Sequence, residues 1–262
     1  MTGRTSAPEE PSVTLCCVAG GAVYVRYARH LEESAEALFT PGARNRFELI
    51  AGEEGWPSGT MFRWHRLLEN MPCTDYVFLC DADMRCEGPI GPEILSPHVT
   101  VTIHPGFVGV PADELPYERR PASSCRIPPG AGSTYFAGAF VGGPRAEVIR
   151  FATAVADLID QDVRNGVTPV WHDESALNKV ASIWSDLHVL DPSMCYPDDD
   201  SEYVKRIWTR PYERKLVALD KAGWERAGRT PRHGPARRAL EAVIGRTATD
   251  RLRRFVVARR TN

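Results

Sequence analysis

Residues 12–220 read as one α/β domain built on a mixed, mostly parallel sheet flanked by helices. Two observations predict this. Apolar, β-branched runs of strand length alternate with stretches of helical periodicity, and no internal repeat interrupts them. The composition agrees, since 262 residues with 43% hydrophobic and 25% charged side chains are ordinary for a globular chain with a sizeable core.

In chain order, Val13–Val18 predicts a first buried strand, with Gly20 and Gly21 as the turn leaving it. From Tyr24 to Phe39 the apolar residues recur at helical spacing until Pro41 and Gly42 stop them. Phe47–Ile50 predicts the second strand, and a helix from Ser58 to Asn70 leads into the apolar run Tyr76–Cys80. Val99–Ile103 is another β-branched strand, and Thr134–Val141 a core strand closed by Gly142 and Gly143. Pro144 then suits the first turn of a helix reaching Asn165, with Gly166 beyond its end. A further helix begins near His172 or Asp173.

The ends differ from this domain. Residues 1–11 are polar, rich in Pro and Glu, and predict a disordered N-terminus without a basic-then-apolar leader. Residues 221–262 form a basic, partly helical extension in which Glu225, Glu241 and Asp250 are the acids. Within it Leu240, Val243, Ile244, Leu252, Phe255 and Val256 fall on one helical stripe, with Arg237, Arg238, Arg251 and Arg254 among the polar positions. Such a helix either docks its stripe on the domain core or lies on an anionic membrane surface. A formal net charge of −2 argues against a nucleic-acid partner. No apolar run is long enough to span a bilayer. Seven cysteines without Cys-x-x-Cys spacing suit a reducing compartment. The expected location is cytoplasmic, peripheral at the inner membrane surface if the extension binds there.

Chemistry concentrates in two acidic clusters. Tyr76–Cys80 ends in Asp81-Ala82-Asp83, and side chains two apart on an extended backbone point the same way. At the carboxyl end of a buried strand, where α/β sheets bind ligands, the pair would hold Mn²⁺ or Mg²⁺ against a diphosphate. The competing interpretation is a solvated turn. A phosphatase of the Asp-x-Asp-x-Thr/Val type is set aside because Arg85 occupies the fifth position. The second cluster, Trp171-His172-Asp173-Glu174, places Glu174 at a helix start, as a capping carboxylate or as one facing an electron-poor sugar carbon. Tyr117-Glu118-Arg119-Arg120 is charge-dense and fits a surface ion-pair patch. Among the histidines, His104 sits at a sheet end, and no His-Glu-x-x-His spacing indicates zinc.

These segments fall in one order that resembles glycosyltransferase family 6, the family of the ABO blood-group transferases and the α-1,3-galactosyltransferase. The resemblance runs through Tyr76–Asp83, His104-Pro105-Gly106-Phe107, Tyr117–Pro121, Ile127-Pro128, Ala137–Gly143 and Trp171–Lys179, covering roughly Val13 to Pro197. It implies a GT-A-type fold and a retaining transfer of galactose or N-acetylgalactosamine from a UDP-sugar to the 3-hydroxyl of a galactose-type acceptor glycan. It also implies that Asp81 and Asp83 bind Mn²⁺, that Glu174 is catalytic, and that Asp173 binds donor hydroxyls. Arg63 is similar to the family's donor-binding arginine, His104 and Trp171 to acceptor-contacting positions, and Tyr24 to an aromatic near the uracil. Ala137 and Ala139 line up with the positions that discriminate Gal from GalNAc, and the small residue at the first leans toward GalNAc. The Gly55-Trp56-Pro57 segment resembles the bacterial branch, whose members often carry Asn-x-Asn; Asp81 and Asp83 then imply metal dependence. Alternatives are a GT-A enzyme with another UDP-sugar, or a sugar- or nucleotide-binding relative without turnover.

Overall fold

The computed structural model describes residues 10–53, 55–198 and 212–221. All of them fall in a compact unit that ends at Lys221. The expected amphipathic helix of the extension, and nearly all of the predicted N-terminal tail, lie outside the described residues.

In order, the strands and helices are β1 (Ser12–Ala19), α1 (Gly21–Leu38), β2 (Arg44–Ala51), α2 (Ser58–Met61), α3 (Arg63–Glu69), β3 (Tyr76–Cys80), β4 (Met84–Cys86) and β5 (Val99–Ile103). They continue as β6 (Phe136–Pro144), α4 (Arg145–Arg164), α5 (Asp173–Ala181), β7 (Leu187–Leu190), β8 (Tyr196–Pro197) and β9 (Leu216–Ala218). The six-stranded sheet has the order β2-β1-β3-β6-β5-β7. Its pairings are parallel except at β6, which runs against both β3 and β5. The sheet is therefore mostly parallel, flanked by helices, and of the GT-A type.

Both faces of β3 are apolar, and that sets the layers. Val77 and Leu79 join Trp64, Leu67, Phe151, Val155, Ile159, Ala176 and Leu177 in one core cluster, so α3, α4 and α5 cover that face. Phe78 points the other way, stacked on Phe140 at 5.2 Å and edge-on to Phe39 at the end of α1. A small second sheet, β4-β9-β8, brings residues 212–221 back beside the end of β3.

Three local expectations are corrected. The helix expected over 58–70 is two helices broken at Phe62, and the break lets Arg63 and Trp64 open α3 with buried side chains. The strand expected to close at Gly142 and Gly143 runs through them to Pro144. Gly142 is there for contact, not for a turn, since a Cβ on it would lie 2.3 Å from the Phe78 ring. Asp81 and Asp83 do not share an extended strand. β3 ends at Cys80, and the two carboxylates lie in the turn before β4.

Candidate active site

With β6 reversed, its amino end lies at the carboxyl ends of β1, β3 and β5. Tyr24 after β1, Asp81 and Asp83 after β3, His104 after β5 and Gly138 early in β6 thus gather at one edge of the sheet, where open α/β sheets bind ligands.

Arg63 is the hub. Its side chain is buried, and its guanidinium donates three ways: Nε to Asp173 Oδ2, Nη1 to Asp81 Oδ1, and Nη2 to the Gly138 carbonyl at 2.9 Å. A planar fork with fixed donors suits this bridging role. Trp64 Nε1 adds a 3.1 Å bond to the same Asp173 oxygen. Asp173 is fully buried, and its Oδ1 has no hydrogen-bond partner. An orphaned buried carboxylate oxygen costs about 1–3 kcal/mol or more, which is sensible where a ligand group can supply the missing donor.

A bulge explains why Gly138 is available. On β5, Val101 and Thr102 are neighbours, but their partners on β6 are Val141 and Ala137. The intervening residues are released from the β5 ladder. The Gly138 N–H donates instead to Glu174 Oε2 at 2.8 Å, while its carbonyl takes Arg63. A Cβ at Gly138 would lie 2.3 Å from Arg63 Nη2 and 3.5 Å from Glu174 Oε2. Ala137 and Ala139 flank this glycine and are buried.

Glu174 is in the first turn of α5, beside Asp173. The residue that starts the helix, His172, has φ 51° and ψ −126°. A non-glycine residue in that region stores about 1–3 kcal/mol of strain. Burial pushes the Glu174 carboxyl above its ordinary value, with the Gly138 N–H opposing. The Tyr135 hydroxyl is buried beside Glu174 and is pushed up by burial and then by the Glu174 charge.

Asp83 pairs with Lys221 through Oδ2, and the Leu219 N–H donates to the Asp83 carbonyl at 2.9 Å. Burial works against the Asp83 charge, but Lys221, a backbone hydrogen bond and Arg63 together outweigh it and hold the carboxyl below its usual range. The same ammonium lies 5.6 Å from the centre of the Tyr24 ring, which links Tyr24 to the Asp-x-Asp turn. Among the described residues no third His, Cys, Asp or Glu joins the pair. The donor set nevertheless suits a hard divalent cation: both carboxylates are partly exposed and bring oxygen ligands, the type Mg²⁺ and Mn²⁺ prefer.

His104 and Trp171 border one aromatic cluster. The His104 ring lies 5.8 Å from Tyr135 and 4.8 Å from Phe107, and Trp171 packs against the cluster containing Tyr117 and Tyr135. His104 Nδ1 accepts the Gly106 N–H at 3.0 Å, and burial takes its pKa down to about 4. The Tyr117–Arg120 block is not the surface patch expected of it, because Tyr117 and Glu118 are buried.

The sequence had not singled out Trp64, Gly138, Tyr135 or Lys221. An interior glycine between two alanines in a strand is the signal that marks Gly138. The first lysine of the basic extension is the signal for Lys221. Trp64 and Tyr135 look like ordinary core aromatics.

A family model described as glycosyltransferase family 6 matches residues 60–210. The chain belongs to glycosyltransferase family 6. Among relatives, it is 30% identical over 236 residues to "Globoside alpha-1,3-N-acetylgalactosaminyltransferase 1" of Canis lupus familiaris, covering 78% of this chain and 65% of that protein. It is 41% identical over 118 residues to "Histo-blood group ABO system transferase 2" of Rattus norvegicus, covering 45% and 35%. It is 32% identical over 164 residues to "Alpha-1,3-galactosyltransferase 2" of Homo sapiens, covering 61% and 48%. The chain thus spans less than two thirds of the length of these relatives. Arg63, Asp81, Asp83, Gly138, Asp173 and Glu174 lie inside the family 6 match, whereas Tyr24 and Lys221 lie outside it.

Proposed function

We propose that this chain is a retaining glycosyltransferase that moves galactose or N-acetylgalactosamine from a UDP-sugar to the 3-hydroxyl of a galactose-type acceptor glycan. The observation that carries this reading is the Arg63 bridge. One guanidinium joins Asp81, Asp173 and the Gly138 carbonyl, so the Asp-x-Asp turn and Glu174 become walls of one site.

In this reading Asp81 and Asp83 would hold Mn²⁺ or Mg²⁺, which when bound neutralises charge on the departing diphosphate. Tyr24, at the same edge of the sheet, would flank the uracil. The unpartnered Oδ1 of Asp173 would accept a donor hydroxyl. Glu174, fixed by the Gly138 N–H, would face the anomeric carbon and stabilise or trap positive charge there. His104 and Trp171 would border the acceptor from the aromatic side. The small side chain of Ala137 favours GalNAc, since it leaves room for an acetamido group.

Lys221 favours one second reading. Its ammonium already occupies an oxygen of Asp83, so a cation from the chain itself could serve the diphosphate without metal. Chelation decides between the two. We expect EDTA to abolish transfer and Mn²⁺ to restore it, with UDP-GalNAc outcompeting UDP-Gal as donor. Full turnover in EDTA supports the Lys221 reading, and clear galactose preference overturns the donor assignment.

The bacterial placing draws on the Gly55-Trp56-Pro57 segment; the relatives described above are vertebrate proteins. No helix among the described residues is long and apolar enough to cross a membrane. The basic sequence of residues 221–262, with apolar residues at helical spacing, suits peripheral contact with an anionic membrane surface, and the cysteine usage suits a cytoplasmic setting.

A further inference from the structure

Glu118 is a buried carboxylate that the proposed chemistry does not use; its side chain is 1% exposed. Its Oε1 accepts the backbone N–H and the Nε of Arg120, both at 2.9 Å. Its Oε2 accepts Arg120 Nη2 and, at 2.9 Å, the backbone N–H of Val170. Arg120 Nη2 also reaches the Thr168 carbonyl at 2.7 Å. Every oxygen of this carboxylate is therefore satisfied, and it ties one loop to another far along the chain.

What is tied matters. Thr168 and Val170 are exposed on either side of buried Pro169, so their own side chains do little to hold them in place. They lead directly into His172, the one non-glycine residue among the described residues with a positive φ. The turn there is closed by the His172 N–H on the Pro169 carbonyl at 3.0 Å and the Trp171 N–H on Ser175 Oγ at 2.9 Å. A strained turn persists only when its surroundings over-determine it. Here Trp171 packs on the aromatic cluster and Trp56 against the His172 ring, while the polar part of the surroundings centres on buried Glu118.

We infer that Glu118, with Arg120, is a positioning residue for the reaction: the clamp from residues 118–120 to residues 168–170 holds the turn at His172 and so sets where Asp173 and Glu174 point. The inference rests on the donor-site reading proposed above. Glu118 contacts no reacting group in that reading. It acts through the backbone of the turn.

The test is Glu118→Gln in the full chain, where an amide nitrogen replaces one of the two accepting oxygens. Amide hydrogen exchange across residues 168–175 should accelerate about tenfold or more while α4 and β6 keep their rates. The kcat for transfer should fall about tenfold to a hundredfold, with the UDP dissociation constant held within about twofold. Leu31→Ala, a core change in α1 away from the site, controls for a general loss of Tm. If Glu118→Gln does not fold, Arg120→Lys, which loses the fork on Glu118 from a half-exposed side chain, should give the same pattern.

Unchanged exchange across 168–175 overturns the clamp. Faster exchange with wild-type kcat overturns the positioning role. So does a kcat loss that Leu31→Ala reproduces at equal loss of Tm. Wild-type protein that neither transfers nor hydrolyses UDP-Gal or UDP-GalNAc would instead sink the donor-site reading, and the exchange measurement would still decide the clamp.

Discussion

Glu174 and His104 sit at the same edge of the sheet, yet their surroundings prepare them for opposite tasks. Glu174 is partly exposed and takes a single backbone donor. Glu174→Gln keeps that bond through its amide oxygen and removes only the charge. We expect kcat to fall about a hundredfold or more, the scale of losing one electrostatic stabiliser, as measured by UDP release at saturating donor. A near-wild-type rate would remove Glu174 from the role. His104 is held neutral. Its pKa in the fold is about 4 against an ordinary 6.5, so between those values the unfolded chain binds more protons. Stability from neutral His104 is then complete above the ordinary value and is lost as pH falls toward the folded one. His104→Asn keeps an acceptor for the Gly106 N–H but does not titrate. The wild type should lose more Tm than this variant between about pH 7 and about pH 5; parallel losses would show that His104 is not the source.

At the scale of the element, β6 does the most for the site. Gly138→Ala would press a methyl into Arg63 Nη2 at 2.3 Å. The strand cannot shift freely, because it is paired to β5 at Phe136 and Ala137 and to β3 from Phe140 onward, on either side of the glycine. We expect a destabilisation of about 1–3 kcal/mol, read as Tm, together with a loss of transfer beyond what the Tm change explains. An unaltered rate would mean that Arg63 has room the geometry does not show. The strands and helices around β6 were legible from periodicity because each buries a regular face. The breaks were not. The kink at Phe62 serves the burial of Arg63 and Trp64, and the glycines of β6 serve contacts with other elements; no local pattern encodes either. Glu118 shows the same limit. Beside three other polar-tipped residues it looks like surface, and only the approach of Val170 from elsewhere in the chain makes it buried.

For the molecule as a whole, the order of motifs along the chain was enough to foresee the fold and the neighbourhood of Arg63, Asp81, Asp83, Asp173 and Glu174. It was not enough to foresee that Lys221 closes on Asp83, because that pair depends on the return of residues 212–221 along β4. The extension beyond Lys221 bears on location. Liposome flotation of the full chain and of a variant lacking residues 222–262 should show anionic vesicles retaining the former and releasing the latter. Equal flotation would exclude membrane docking and favour packing of the apolar stripe on the domain.

The pairing of β4 with β9 joins residues on either side of His104, Gly138, Asp173 and Glu174: Met84 lies opposite Ala218, and Cys86 opposite Leu216. Contacts this distant in sequence form late. A ribosome-bound chain that has emerged only as far as β8 has its Arg63, its acidic turn and its Glu174, but no strand to cover β4 and no Lys221. Lys221, the last described residue, thus leaves the ribosome after every other group at this edge of the sheet, and its pairing with Asp83 is the last of those contacts to become possible.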